Sequence, residues 1–149
     1  MSLSNINVDI IVPIYNAYEY LKACVDSLIL YTDLTYNRIL LLNDCSTDER
    51  VKHYLNTIQQ DHIIVIHNES NLGFSANINK GISMSENDVV FLNSDTVVTC
   101  NWLEKLQNCA YADETIATVT PLSNSATICS VPSFCEDNVL PPEISIDDM

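Results

Sequence analysis

Glycine is almost missing from this 149-residue chain, which holds only Gly73 and Gly81. The phosphate cradles G-x-G-x-x-G and G-x-x-x-x-G-K-[ST] are therefore excluded, since each needs glycines at a spacing these two do not have. Basic residues are scarce too: six Lys and Arg stand against 20 Asp and Glu, a net charge of -14. Lys22, Arg38, Arg50, Lys52, Lys80 and Lys105 are scattered, so no positive stripe exists to neutralise a nucleic-acid backbone, and no nucleic-acid partner is expected. Long apolar runs are absent. Runs such as Ile10-Ile11-Val12 and Ile39-Leu40-Leu41-Leu42 are strand-sized, against the roughly 20 residues a membrane-spanning helix requires. The segment Met1 to Asp9 has neither the basic nor the apolar part of a secretory signal, so a cytoplasmic protein is expected. Six cysteines are present, but none forms a C-x-x-C pair; zinc and redox motifs are missing and free thiols of a reducing compartment are expected. No G-x-S-x-G elbow occurs, and His53, His62 and His67 fall in a helix or in and beside a strand, which argues against a hydrolase triad.

What the chain does have is 47% apolar residues, too many for disorder. A domain of about 150 residues can bury roughly 70% of its unfolded surface, so the chain reads as one domain or a piece of a larger one. Strand-like and helix-like runs alternate along it. Val8 to Ile14 is apolar on both faces, as a parallel strand covered by helices would be, with Pro13 marking its end. From Tyr18 to about Leu30, Leu21, Cys24, Val25, Leu28 and Ile29 recur at helical spacing. Arg38 to Leu42 is a second strand, followed by a polar turn and a helix capped by Asp48 or Thr47 that runs to about Ile58. His62 to Ile66 is a third strand, Phe74 to Met84 a helix, Asp88 to Leu92 a fourth strand, Trp102 to Ala110 a helix and Ile116 to Val119 a last short strand. Beyond Pro121 the pattern decays into Ser, Asn, Pro and acidic residues, and irregular chain is expected.

Such alternation with short connections implies an α/β domain with a mainly parallel sheet. Ligands of such sheets bind beyond the carboxyl ends of the strands, and polar residues gather there: Tyr15 and Asn16, Asn43 and Asp44, Asn68 to Asn71, Asn93 to Asp95. Two unit charges about 4 Å apart repel by roughly 4 kcal/mol at an effective dielectric near 20, so an anionic ligand of this acidic protein needs a bridging cation. Asp95, beside Ser94 and Asn93, suits a hard divalent ion held jointly with a ligand's phosphates. Taken alone, Asn93-Ser-Asp-Thr also reads as a turn that caps the next helix.

Together these segments resemble family 2 glycosyltransferases of the GT-A fold. Val8-Asp-Ile-Ile-Val-Pro-Ile-Tyr-Asn16 is similar to that family's opening strand and turn, and Leu42-Asn-Asp-Cys-Ser-Thr-Asp48 to its D-x-S-x-D loop. Asn71-Leu-Gly-Phe-Ser-Ala-Asn-Ile-Asn-Lys-Gly81 resembles its N-x-G-x-x-x-x-x-N-x-G segment, Asp88 to Asp95 its D-x-D strand end, and Trp102-Leu103 the start of the following helix. The resemblance implies a GT-A, Rossmann-like three-layer domain with a mainly parallel sheet, truncated, with residues 1–121 as its nucleotide-sugar-binding half. Residues 122–149 form an acidic segment leading to an absent acceptor half. It implies metal-dependent, inverting transfer of a sugar, hexosyl or rhamnosyl, from a UDP- or dTDP-sugar to a hydroxyl of a glycan or glycolipid. Polysaccharide synthesis at the inner face of a bacterial membrane, with peripheral membrane association, would be its setting.

Carried over residue by residue, the resemblance makes Pro13, Tyr15 and Asn16 a wall of the nucleotide pocket and Asp44 the acceptor of a hydrogen bond from the base. Helix capping remains the alternative for Asp44. Gly73 allows a close turn, Asn79 and Gly81 match the helix facing the donor, and Ser94 touches the ribose or sugar. Asp95, with Asn93, holds Mn²⁺ or Mg²⁺ against the diphosphate. For Asn77, simple exposure is an equal alternative. Two positions depart from the family pattern: Asn93 replaces the first acid of D-x-D, as in rhamnosyltransferase-like relatives, and Ile78 stands where many relatives carry Arg. No catalytic base is assigned, because Glu136, Asp137 and Glu143 lie beyond the match and read as solvated charges. The competing expectation is a non-catalytic nucleotide-binding module or degenerate fragment. A doubly wound regulatory domain with a phosphate-accepting acidic site is disfavoured by Pro13, Tyr15 and Asn16 at the first strand's end.

Overall fold

The computed structural model describes residues 6–126 and 128–139; Glu143 lies outside them. Four strands and four helices alternate: β1 (Val8–Ile14), α1 (Tyr18–Tyr31), β2 (Arg38–Asn43), α2 (Glu49–Thr57), β3 (Ile63–His67), α3 (Phe74–Ile82), β4 (Asp88–Phe91) and α4 (Trp102–Ala110). The chain forms two compact units, residues up to Val98 and residues from Thr99 onward.

The first unit holds one parallel sheet in the order β3-β2-β1-β4. Every residue of β1 is buried, as are Ile39 to Asn43 of β2, so the two central strands are covered on both faces. The edge strands β3 and β4 are only partly buried. Parallel crossovers are right-handed. The steps from β1 to β2 and from β2 to β3 run in one direction and place α1 and α2, which contact each other, on one face. The step from β3 back across the sheet to β4 places α3 on the other, where it packs on β1 and β2. There Ile11, Leu40, Leu42 and Ile78 form a buried cluster with Ile66 and Val89 against it. Gly81 lets α3 lie so low: a Cβ built on it would stand 2.7 Å from Ile11 Cγ2 and 2.8 Å from Leu42 Cδ1. On the other side α1 buries Leu21, Cys24, Val25 and Leu28, and α2 buries Val51 and Leu55.

Helix starts follow local chemistry. Of the two candidates, Asp48 and not Thr47 caps α2, its carboxylate accepting the Arg50 N–H at 3.0 Å. Before α1, Asn16 and Ala17 both take left-handed backbone, with φ of 59° and 55°.

Three expectations are corrected. Pro13 does not end its strand, which continues to Ile14. Ile11 O accepts from Leu92 N, and in a parallel strand the residue two further on faces the same side, so the missing Pro13 N–H faces a place that β4, ending at Phe91, has already left. His62 stands outside β3 with φ 70°, a turn residue rather than a strand residue. Ile116 to Val119 forms no strand among the described residues; it has no ladder partner there, and the Ile116 N–H donates to Asp113 O at 3.1 Å in a local turn instead.

In the second unit α4 buries Trp102 and Leu103. The described residues between Pro121 and Val139 are irregular but not unstructured. Isolated bridges join Ser123 to Ser130 and Ser125 to Asp137, and the Asn138 amide donates to the carbonyls of Asn124, Ser133 and Glu136. Asp137 is exposed, yet its carboxylate accepts from Ser125 Oγ at 2.5 Å. No helix among the described residues is long and apolar enough to cross a membrane.

Candidate functional site

Strand order reverses between β1 and β4, because the chain leaves β1 toward β2 on one side and returns to pair β4 on the other. Such a switch point opens a crevice beyond the carboxyl ends of the two strands. Pro13, Tyr15 and Asn16 lie at the carboxyl end of β1, and Asn93, Ser94 and Asp95 follow β4; Asp44 follows β2, and Gly73 immediately precedes α3.

Asn16 does not simply face outward. Its N–H donates to Ser46 Oγ at 2.9 Å, and its Oδ1 accepts the N–H groups of Thr47 at 2.9 Å and Asp48 at 3.0 Å. It ties the loop after β1 to the loop after β2. Tyr15, beside it, is half exposed.

Asp44 is buried, and its two oxygens are unequally used. Oδ1 accepts from Asn68 Nδ2 and from Leu72 N, both at 2.8 Å, while Oδ2 accepts only from Gly73 N at 2.9 Å. Those two backbone donors immediately precede α3, so the carboxylate also sits at the positive end of that helix. Asp44 therefore fastens the loop that starts α3, whereas the capping of α2 belongs to Asp48. Gly73 has φ 81° with nothing within 4 Å of a built Cβ; backbone conformation, not crowding, demands glycine there.

Beneath Asp44 lies a network that the sequence reading missed. Asn68 gives one amide hydrogen to Asp44 and the other to Asn77 Oδ1 at 2.9 Å, and its Oδ1 accepts from Lys80 Nζ at 2.7 Å. Asn77, for which exposure had been an equal alternative, is 1% exposed and donates to Leu42 O at 3.0 Å. The signal was available: Asn77 and Gly81 are one helical turn apart, so Asn77 shares the sheet-facing side of α3 with Gly81 and Ile78. Asn79, by contrast, is exposed and about 9 Å along α3 from Gly73; no side-chain hydrogen bond joins it to the other candidate residues.

The β4 end is open. Asn93 and Asp95 are exposed, and neither side chain has a hydrogen bond or ion pair to a described residue. Ser94 is half buried. Below the turn, the buried Cys24 thiol donates to Asn93 O at 3.7 Å. Burial first, and then the charge of Asp95, push this thiol up to about 12, so it stays protonated. No cluster of three or more His, Cys, Asp or Glu capable of holding a metal occurs among the described residues. One carboxylate and one amide oxygen without protein partners nonetheless fit a divalent ion whose remaining ligands come from a bound diphosphate and water.

A parallel sheet in the order β3-β2-β1-β4, reversed between β1 and β4 and flanked by helices, is the architecture of a GT-A-type α/β domain. Solved structures carry the same fold. Residues 1–349 of S. aureus TarS align with a TM-score of 0.56 at 26% identity over 67% of this chain and 31% of that one. The same fragment in complex with UDP-GlcNAc aligns at 0.59 and 24% identity over 67% of this chain and 30% of that one. GalNAc-T7 with UDP, GalNAc and Mn²⁺ aligns at 0.64 and 21% identity over 74% of this chain and 22% of that one.

Residues 9–127 match glycosyl transferase family 2, and the chain belongs to that family. Among its relatives, the glycosyltransferase GlyA of Streptococcus pneumoniae is 36% identical over 100 residues, covering 66% of this chain and 14% of that protein. The uncharacterized glycosyltransferase YibD of Escherichia coli is 32% identical over 118 residues, covering 76% of this chain and 33% of that protein. The chain thus spans a third or less of the length of these relatives.

Proposed function

We propose that this chain is the donor-binding half of an inverting glycosyltransferase that takes a sugar from a UDP- or dTDP-sugar and delivers it to an acceptor hydroxyl. The observation that carries the reading is the pair of unpartnered oxygens, from Asp95 and Asn93, at the strand-order reversal, in a chain otherwise so acidic that a bare diphosphate would be repelled. In this reading residues 1–121 bind the nucleotide and residues 122–149 lead toward the acceptor half. The fraction of the relatives' length that the chain spans supports that division.

Each residue has a task. Pro13, Tyr15 and Asn16 form one wall of the nucleotide pocket, with Asn16 stiffened by the β2 loop. Asp44 Oδ2, with one acceptor position unfilled, takes a hydrogen bond from an N–H of the base. Gly73 holds the loop around Asp44, Ser94 meets the ribose or sugar, and Asn79 faces the donor from α3. Asp95 and Asn93 hold Mn²⁺ or Mg²⁺, which when bound would neutralise charge on the departing diphosphate. An inverting displacement also needs a general base on the acceptor hydroxyl, and that base is assigned to the acceptor half.

Calorimetric titration with UDP and with dTDP, with and without Mn²⁺, tests the proposal on the parent chain and on Asp95→Ala. Metal-dependent binding that disappears in the variant is expected. A folded parent that binds neither nucleotide under any of these conditions would overturn it.

A further inference from the structure

Of the six basic residues, Lys22 pairs with Asp26, Arg38 with Asp9, and Arg50 with Asp48 and Glu19. Lys80 is different. It is half buried, it has no carboxylate partner among the described residues, and its ammonium is spent on a neutral amide, Asn68 Oδ1, at 2.7 Å. In a chain of net charge -14, a cation with acids in such excess that still engages an amide is placed there by the fold.

The consequence runs through Asn68. Its oxygen is held by Lys80 and its two amide hydrogens go to Asp44 Oδ1 and Asn77 Oδ1, so the amide has one orientation: flipped, it would set its oxygen against two acceptors and its NH₂ against an ammonium. A cation on the carbonyl also polarises the amide and strengthens the N–H bonds it donates. At Asp44, Oδ1 is filled by Asn68 and Leu72, and Oδ2 keeps one position open beyond Gly73 N. The side on which Asp44 can accept a ligand's hydrogen is therefore set by the residues behind it.

We propose that Lys80, acting through Asn68, is a positioning residue that fixes the free acceptor of Asp44 and so sets discrimination between nucleobases. This rests on reading the strand-end crevice as a nucleotide site. A pyrimidine with an N–H at ring position 3 can donate to the open Oδ2, whereas cytosine presents a lone pair there and is repelled.

The test compares UDP with CDP, both with Mn²⁺, on the whole chain, on Lys80→Met, on Lys80→Arg, on Asn68→Ala and on Asp44→Asn. Lys80→Met should weaken UDP about tenfold and leave CDP nearly unchanged, so that the UDP-to-CDP preference collapses, and Lys80→Arg should restore most of it. Should Asn68→Ala fail to fold, the Lys80 pair still gives the readout. Equal weakening of both nucleotides together with a lower melting temperature would mean a purely structural network and would overturn the proposal. So would an unchanged preference in Lys80→Met when Asp44→Asn has lost it. A parent chain that binds no UDP would instead sink the nucleotide reading itself.

Discussion

Both ends of the sheet carry an aspartate, and the two are used in opposite ways. At the amino end Asp9 is fully buried, and its oxygens accept from Arg38 Nε at 2.9 Å and Nη2 at 2.5 Å, Ser85 Oγ at 2.6 Å and Asn87 Nδ2 at 3.3 Å. Burial alone would raise its pKa; these hydrogen bonds, Arg38's first, outweigh it and hold the carboxyl below the ordinary value. At the carboxyl end Asp95 and Asn93 stand exposed with no described partner. A carboxylate whose four acceptor positions are filled by its own chain has nothing left for a ligand, and one with none filled contributes nothing to folding. Asp44 lies between these limits, three positions filled and one open. Saturation, rather than residue type, separates the closed end of the sheet from the open one.

The largest effect should come from breaking the closed end. Asp9→Ala strands Arg38 and removes a buried pair; because Arg38 is about a third exposed, the loss should fall near the lower end for such pairs, about 3 kcal/mol. Urea unfolding measures it, and nucleotide affinity of the folded variant should not change. Gly81→Ala comes next, since its methyl would meet Ile11 and Leu42 inside 3 Å; overpacking of this kind costs about 1–3 kcal/mol. A variant as stable as the parent would mean that α3 can lift off the sheet without penalty. The open end should behave the other way. Asp95→Ala should shift stability by no more than about 0.5 kcal/mol while abolishing metal-dependent nucleotide binding. A large loss of stability there would erase the contrast between the two ends.

How much of this could be read beforehand differs by interaction range. The central strands were legible because Val8 to Ile14 and Arg38 to Leu42 are apolar on both faces, a pattern few other structures require. The reversal-point turns were legible because Asn93-Ser-Asp and Tyr15-Asn16 follow strands directly. Asn77 was ambiguous because a buried asparagine is legible only once its partners, Asn68 and Leu42 O, are known, and these lie nine and 35 residues away. Pro13 misled for a related reason: a missing N–H ends a strand only where a neighbour would have accepted it, and here β4 has already turned aside. Ile116 to Val119 has strand composition, but composition supplies no ladder partner.

The smallest effect tests a third kind of group, one that links loops at the carboxyl end without touching the crevice. Asn43 Oδ1 is taken by Ser46 N at 3.1 Å, so Asn43 Nδ2 must donate to His67 Nδ1 at 2.9 Å. The imidazole then carries its proton on Nε2 and donates to Asn56 Oδ1 at 3.1 Å, a tautomer assigned from the network. Protonating Nδ1 would set one donor against another. Burial first, and the nearby Lys52 charge second, lower the His67 pKa below its ordinary value. The folded state therefore binds this proton less readily than the unfolded chain, whose histidine titrates near 6.5. Stability from His67 is complete above that pH and is lost as pH falls through it toward the lower folded value, because the unfolded state then holds more protons. The urea midpoint should decline as pH falls below about 6.5, ahead of the range in which Asp9 and Asp48 titrate, and the decline should be shallower in His67→Gln, whose amide keeps the contacts without the titration. Equal slopes in the two proteins would show that the imidazole is protonated as easily in the fold as out of it, and that Asn43 does not hold it.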